Sequence, residues 1–109
     1  MQTSIKLPTI IDGRVVLGNI SEPERTLETR LSILTYKVGN LHENLVKWKT
    51  LESKAHKLEF KSNLAQALCH CITIAMSQGW DVSELVDLGW EYIGDRFKDF
   101  KKNWEWKEG

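Results

Sequence analysis

The chain has 109 residues, with 15 lysines and arginines against 15 aspartates and glutamates, and its formal net charge is +0. That balance excludes a strongly basic nucleic-acid-binding domain and an acidic solvating tail, so nucleic acid is not an expected partner. A hydrophobic content of 41% beside 28% charged residues is globular composition, and the length suits one domain with a modest core.

A single domain of this size buries a small share of its surface, so packing against further copies is expected. No stretch approaches the roughly 20 apolar residues of a membrane span, and the opening MQTSIKLPTII lacks the basic and apolar regions of a signal peptide. The expectation is a cytoplasmic protein with no membrane partner.

Residues 1–20 read as a small arm. Asp12-Gly13 stands between two β-branched runs and supplies the positive φ angles of a two-residue hairpin turn, which predicts a β-hairpin over residues 9–16. Residues 21–109 read as a helical domain. Ser21, Pro23 and Glu24 resemble a capped helix start, and Leu27, Leu31, Leu34, Val38, Leu41, Leu45 and Trp48 then recur at steps of four and three as one apolar stripe.

Residues 47–61 hold five lysines against two glutamates and read as a solvated connection. A second helix is predicted from near Leu58 to Met76, with Leu64, Leu68, Cys71, Ile72 and Ala75 on one face and Gln78-Gly79 as its stop. Asp81, with Glu84 three residues on, opens a third helix whose stripe is Val82, Val86, Gly89, Ile93, Phe97, Phe100 and Trp104. Gly89 and Gly94 predict a bend, break or close contact there. The fold class expected is all-α, a helical bundle of three or four helices with a small N-terminal β-hairpin.

Five tryptophans, at 48, 80, 90, 104 and 106, all lie beyond residue 40. Trp48 and Trp104 extend core stripes, whereas Trp80 and Trp90 sit near the turn and the glycines and are candidates for a pocket or subunit contact. In the C-terminal stretch, Arg96, Lys98, Lys101 and Lys102 alternate with Phe97, Phe100, Trp104 and Trp106; the aromatics continue the third helix's stripe and leave the basic residues wet. Cys69 and Cys71 stand two apart on a helix, on nearly opposite faces, and read as small hydrophobes in a reducing compartment. His42, His56 and His70 are scattered without metal-ligand spacing.

Each long helix carries a polar stripe beside its apolar one: Ile33, Lys37, Asn40 and Asn44 on the first, and Glu59, Asn63, Gln66 and His70 on the second. In an antiparallel pair these stripes can line one cleft. The segments LTYKVGNL (34–41), NLAQAL (63–68) and SQGWDVSE (77–84) resemble the all-α nucleotide pyrophosphohydrolases of the MazG-like family, which read E-E-V-G-E-L, E-L-A-D-V-L and L-G-I-D-L-E-E. The resemblance spans roughly residues 27–100 and implies a helical fold that assembles as a dimer or tetramer.

In that family, two acidic residues three apart on each of two helices hold Mg²⁺ against a nucleoside triphosphate. Carried over, those positions fall on Lys37 and Asn40 and on Asn63 and Gln66, none of them a carboxylate. A lysine and three amides repel or weakly hold a hard dication, so the resemblance implies a non-catalytic member without a cofactor. It would bind a nucleotide-like ligand or a protein partner around Lys37, Asn40, Asn44, Asn63, Gln66 and His70. The alternatives are a Mg²⁺-dependent pyrophosphohydrolase with a displaced carboxylate site at Glu84, Asp87, Glu91 or Glu59, and a plain helical oligomerisation module. Asp81, Glu84, Asp87, Glu91 and Asp95, with no lysine or arginine among residues 81–95, form the densest acidic array, read first as a solvated face.

Overall fold

A computed structural model describes residues 5–108, with side chains as far as Asp99. Phe100, Lys101, Lys102, Trp104 and Trp106 therefore lie outside the described side chains. The chain order is β1 (Thr9–Ile11), β2 (Arg14–Leu17), β3 (Ile20–Ser21), α1 (Leu27–Leu51), α2 (Lys54–Ser77) and α3 (Val82–Glu108). Three helices and a small sheet make a mostly helical architecture, as expected.

The predicted hairpin forms where Asp12 (φ 51°) and Gly13 (φ 76°) both take left-handed backbone, pairing Thr9 with Val16 and Ile11 with Arg14. The sequence reading missed β3, which adds to β2 through Val16–Ser21 and Leu17–Ile20 after a turn at Gly18. Ser21 is therefore a strand residue and caps no helix. The physical reason lies at Glu22: its N–H donates to the Val15 carbonyl at 2.9 Å and its Oε1 accepts from the Val15 N–H at 3.0 Å, which prolongs the strand pairing. The helix is instead capped five residues later, at Thr26, whose hydroxyl accepts from the Thr29 N–H at 3.1 Å.

The lysine-rich segment also departs from expectation. Both helices run through it, and the turn is only Glu52, in left-handed backbone at φ 50°, and Ser53, which accepts from the His56 N–H as the α2 cap. α2 ends at Gln78-Gly79 as predicted, with Gly79 at φ 74°. Asp81 accepts from the Glu84 N–H at 3.0 Å and opens α3 as predicted. α3 is unbroken through Gly89 and Gly94, and a Cβ at either would meet nothing within 4 Å, so no close helix contact uses them.

α1 and α2 form an antiparallel hairpin, the dominant contact of the fold. Trp48 and Phe60 stack obliquely across it with ring centroids 5.7 Å apart, so Trp48 does join the packing. Beyond that the apolar stripes are not a core. Leu27, Leu31 and Val38 on α1 and Leu64 and Leu68 on α2 are 45–61% exposed, and among the described residues the buried apolar side chains are only Val15, Ala67, Ala75 and Val82. Cys69 and Cys71 are exposed free thiols rather than buried hydrophobes. The radius of gyration of 17.6 Å exceeds the roughly 13 Å of a compact chain this long.

Candidate functional site

The two polar stripes do meet. The seam of the hairpin combines positions of the polar stripes with Leu34, Leu41, Leu45 and Trp48 on α1 and Phe60 and Ala67 on α2, all buried or half-buried, while Leu27, Leu31 and Val38 and Leu64 and Leu68 lie to one side. Asn44 donates from Nδ2 to the Asn63 Oδ1 at 2.8 Å and also reaches the Asn40 carbonyl at 3.1 Å. Asn63 is buried, and Lys37, Asn40, Asn44, Gln66 and His70 are half-buried. The amide pair closes the seam at its middle rather than lining an open cleft. Gln66 turns along its own helix and donates to Ser62 at 3.0 Å, and Glu59 is exposed.

Towards the sheet, the seam becomes cationic. Arg30 is 4% exposed, and its guanidinium pairs with Glu22 through both terminal nitrogens, one of them at 3.3 Å. Arg25 lies 3.9 Å from the same carboxylate. Burial alone would raise the Glu22 carboxyl, but the bonds from Arg30 and Val15 and the charges of both arginines outweigh it and hold the group below the usual range. His70 is pushed the other way for an imidazole: burial disfavours its cation, and Arg25, Lys37 and Arg30 add repulsion that Glu22 only partly offsets, so its pKa is lowered. Three cations against one anion surround this ring, a setting that attracts an anionic group.

The carboxylate alternatives are arranged differently. Glu84, Asp87 and Glu91 follow one another along an exposed face of α3, and Glu59 stands on α2. Among the described residues, no three histidine, cysteine, aspartate or glutamate side chains converge as a metal-binding group. At the positions that the resemblance would make metal ligands, Lys37 is a cation, the Asn63 oxygen is engaged by Asn44, and Gln66 bonds Ser62. That donor set does not fit a hard divalent ion.

Among the described residues, concave regions also lie outside the seam. One, of about 640 Å³, runs between the β1–β2 turn and the segment before α1, with Arg14, Glu24 and Arg25 on its wall. A second, of about 630 Å³, lies between β2 and the Cys69, Ile72 and Thr73 side of α2. The third, about 460 Å³, is a notch at the start of α3 formed by Trp80, Asp81, Glu84, Leu85 and Leu88. Trp80 thus lines a pocket, as the sequence suggested, while Trp90 is 65% exposed. The Glu22–Arg30 pair was missed because its members are eight residues apart and cross an element boundary; no periodicity marks such a pair.

Comparison with protein-family models, with curated proteins and with solved structures finds no match.

Proposed function

We propose that this chain is a non-catalytic helical interaction protein, a divergent relative of the MazG-like family, that engages a protein partner through one face of its α1–α2 hairpin. The observation that carries the reading is the uncovered side of the hairpin: Asn44 and Asn63 pair in the seam, and Leu27, Leu31 and Val38 on α1 and Leu64 and Leu68 on α2 stay open to solvent. A helix pair that needed only itself would bury those leucines. Loss of hydrolysis follows from the side chains at the four family positions, whose charge and donor chemistry oppose Mg²⁺.

A second reading, a nucleotide-like ligand held by its phosphate, is favoured by the cationic surroundings of His70. Phosphate seated beside Lys37 and His70 would raise the imidazole pKa, which an NMR titration with and without inorganic pyrophosphate reads directly. For the main reading, purified protein is incubated with Mg²⁺ or Mn²⁺ and a panel of canonical and modified nucleoside triphosphates. No pyrophosphate release is expected. Release above background that Asp87→Asn abolishes would overturn the non-catalytic reading in favour of a displaced carboxylate site.

A further inference from the structure

The strand β2 meets α2 at Val15 and then leaves it. Val15 is 6% exposed, whereas Leu17, the next residue on the same strand face, is 66% exposed, and Gly18 at φ 64° then turns the chain away toward β3. On the helix, Cys69, Ile72 and Thr73 stand at positions i, i+3 and i+4 and share one face. The segment before β1 adds Leu7, also exposed, as a third wall. The result is a cleft of about 630 Å³, a volume typical of small-molecule sites.

The chemistry of its walls narrows what fits. Among the described residues no aromatic ring lines the cleft, so nothing there stacks on a nucleobase or another planar group. Hydrogen-bonding capacity is sparse, because the Thr73 hydroxyl already donates to the His70 carbonyl at 2.9 Å and the Cys69 thiol is a weak donor. The remaining wall is mostly aliphatic, and an apolar ligand would take Leu7 and Leu17 out of water.

One charge stands in the wall. Lys6 lines the cleft with no carboxylate beside it, and among the described residues it makes no ion pair. Glu22, which bonds the Val15 N–H, is already held by Arg30 and Arg25. A single ammonium balances a carboxylate, whereas it leaves a phosphate dianion half compensated. We propose that this cleft binds an unbranched aliphatic carboxylate, a fatty acid, with its chain between Leu17 and Ile72 and its carboxylate at the Lys6 ammonium. The site is separate from the partner-binding face of the hairpin: Cys69 is turned about 100° from Leu68 and about 200° from Cys71.

Cys69 reports occupancy, and Cys71, exposed on another side of the same helix, is the internal control. Alkylation of the full chain by N-ethylmaleimide is timed with and without sodium decanoate below its micelle concentration, and the two thiols are resolved by fragment-ion mass spectrometry. Decanoate should slow Cys69 about ten-fold and leave Cys71 unchanged. Acetate, which has the charge without the chain, should protect neither. Decyltrimethylammonium, which has a chain with the opposite charge, should protect Cys69 about five-fold less well than decanoate. Equal slowing of both thiols, or none, overturns the site. Equal protection by the two amphiphiles overturns the carboxylate at Lys6. Protection of Cys69 that grows with protein concentration in the absence of decanoate means that a second copy fills the cleft, and overturns the ligand.

Two variants give independent arms. Lys6→Glu, at an exposed position, should raise the decanoate concentration for half-protection about ten-fold, and an unchanged value overturns the role of Lys6. Cys69→Phe fills the cleft from an exposed helix position; it should stay helical by circular dichroism and lose the decanoate binding that calorimetry reads for the wild type. Binding that survives Cys69→Phe places the ligand elsewhere and overturns the proposal.

Discussion

Glu22 stands where the sheet, the segment before α1 and the first turns of α1 meet, and one carboxylate serves all three. It accepts from the Val15 N–H and holds the buried Arg30 guanidinium, with Arg25 beyond. Removing its charge leaves Arg30 buried without a counter-ion, which costs far more than an exposed pair contributes. Glu22→Gln should destabilise the fold by about 3 kcal/mol, read by urea denaturation at pH 7. The folded carboxyl titrates below its unfolded value near 4.3, so its contribution is present above that value and is lost as pH falls through the lower folded one. The gap between wild type and Glu22→Gln should therefore close below about pH 4.

His70 has the opposite chemistry and the same sign. Its folded pKa lies below the ordinary value of 6.5, so the unfolded chain binds the proton more readily. Stability should fall as pH drops from about 6.5 through the folded pKa, and an NMR titration should show His70 titrating below the ordinary imidazole value. Lys37→Gln should move the His70 midpoint upward by removing one repelling charge. An unmoved midpoint would show that burial and the two arginines set it without Lys37.

At the scale of elements, the hairpin is pinned by one amide pair. Asn63 is 6% exposed and its oxygen is satisfied only by Asn44 among the described contacts. Asn44→Ala leaves that oxygen buried and unpaired, and should cost about 2 kcal/mol. Replacing both by leucine should be nearly neutral, because the unsatisfied group disappears with its partner; thermal melts of the single and double variants form the cycle that checks it.

The same elements show what was legible in the chain. The Asp12-Gly13 turn, the Asp81 cap, the Gly79 stop and the polar stripes could be read because each depends on residues within one or two turns of each other. β3 and the late start of α1 could not, since both follow from Glu22 reaching back to Val15. The elbow was misread for a related reason. A dense lysine run resembles a loop, but here its charges ride on helix surfaces, and a left-handed Glu52 turns the chain without the glycine that would have signalled it. Periodicity also identified the apolar stripes without saying what covers them, so leucines assigned to a core lie open.

For the whole molecule, those leucines decide how stability behaves. With Val15, Ala67, Ala75 and Val82 as its buried apolar side chains among the described residues, the isolated chain lacks the burial that offsets the entropy of ordering 109 residues. If the hairpin face is completed by a second copy, association and folding are one equilibrium, and the unfolding midpoint must depend on concentration. A tenfold increase in protein adds about 1.4 kcal/mol to the dimer. Over two chains of this length the unfolding entropy converts that to a rise of about 3 °C in Tm. Differential scanning at 5, 50 and 500 μM should show two such steps, and Leu68→Glu should melt lower and without concentration dependence. A wild-type midpoint that does not move over this hundredfold range would show that the chain folds alone, with its leucine face open to water.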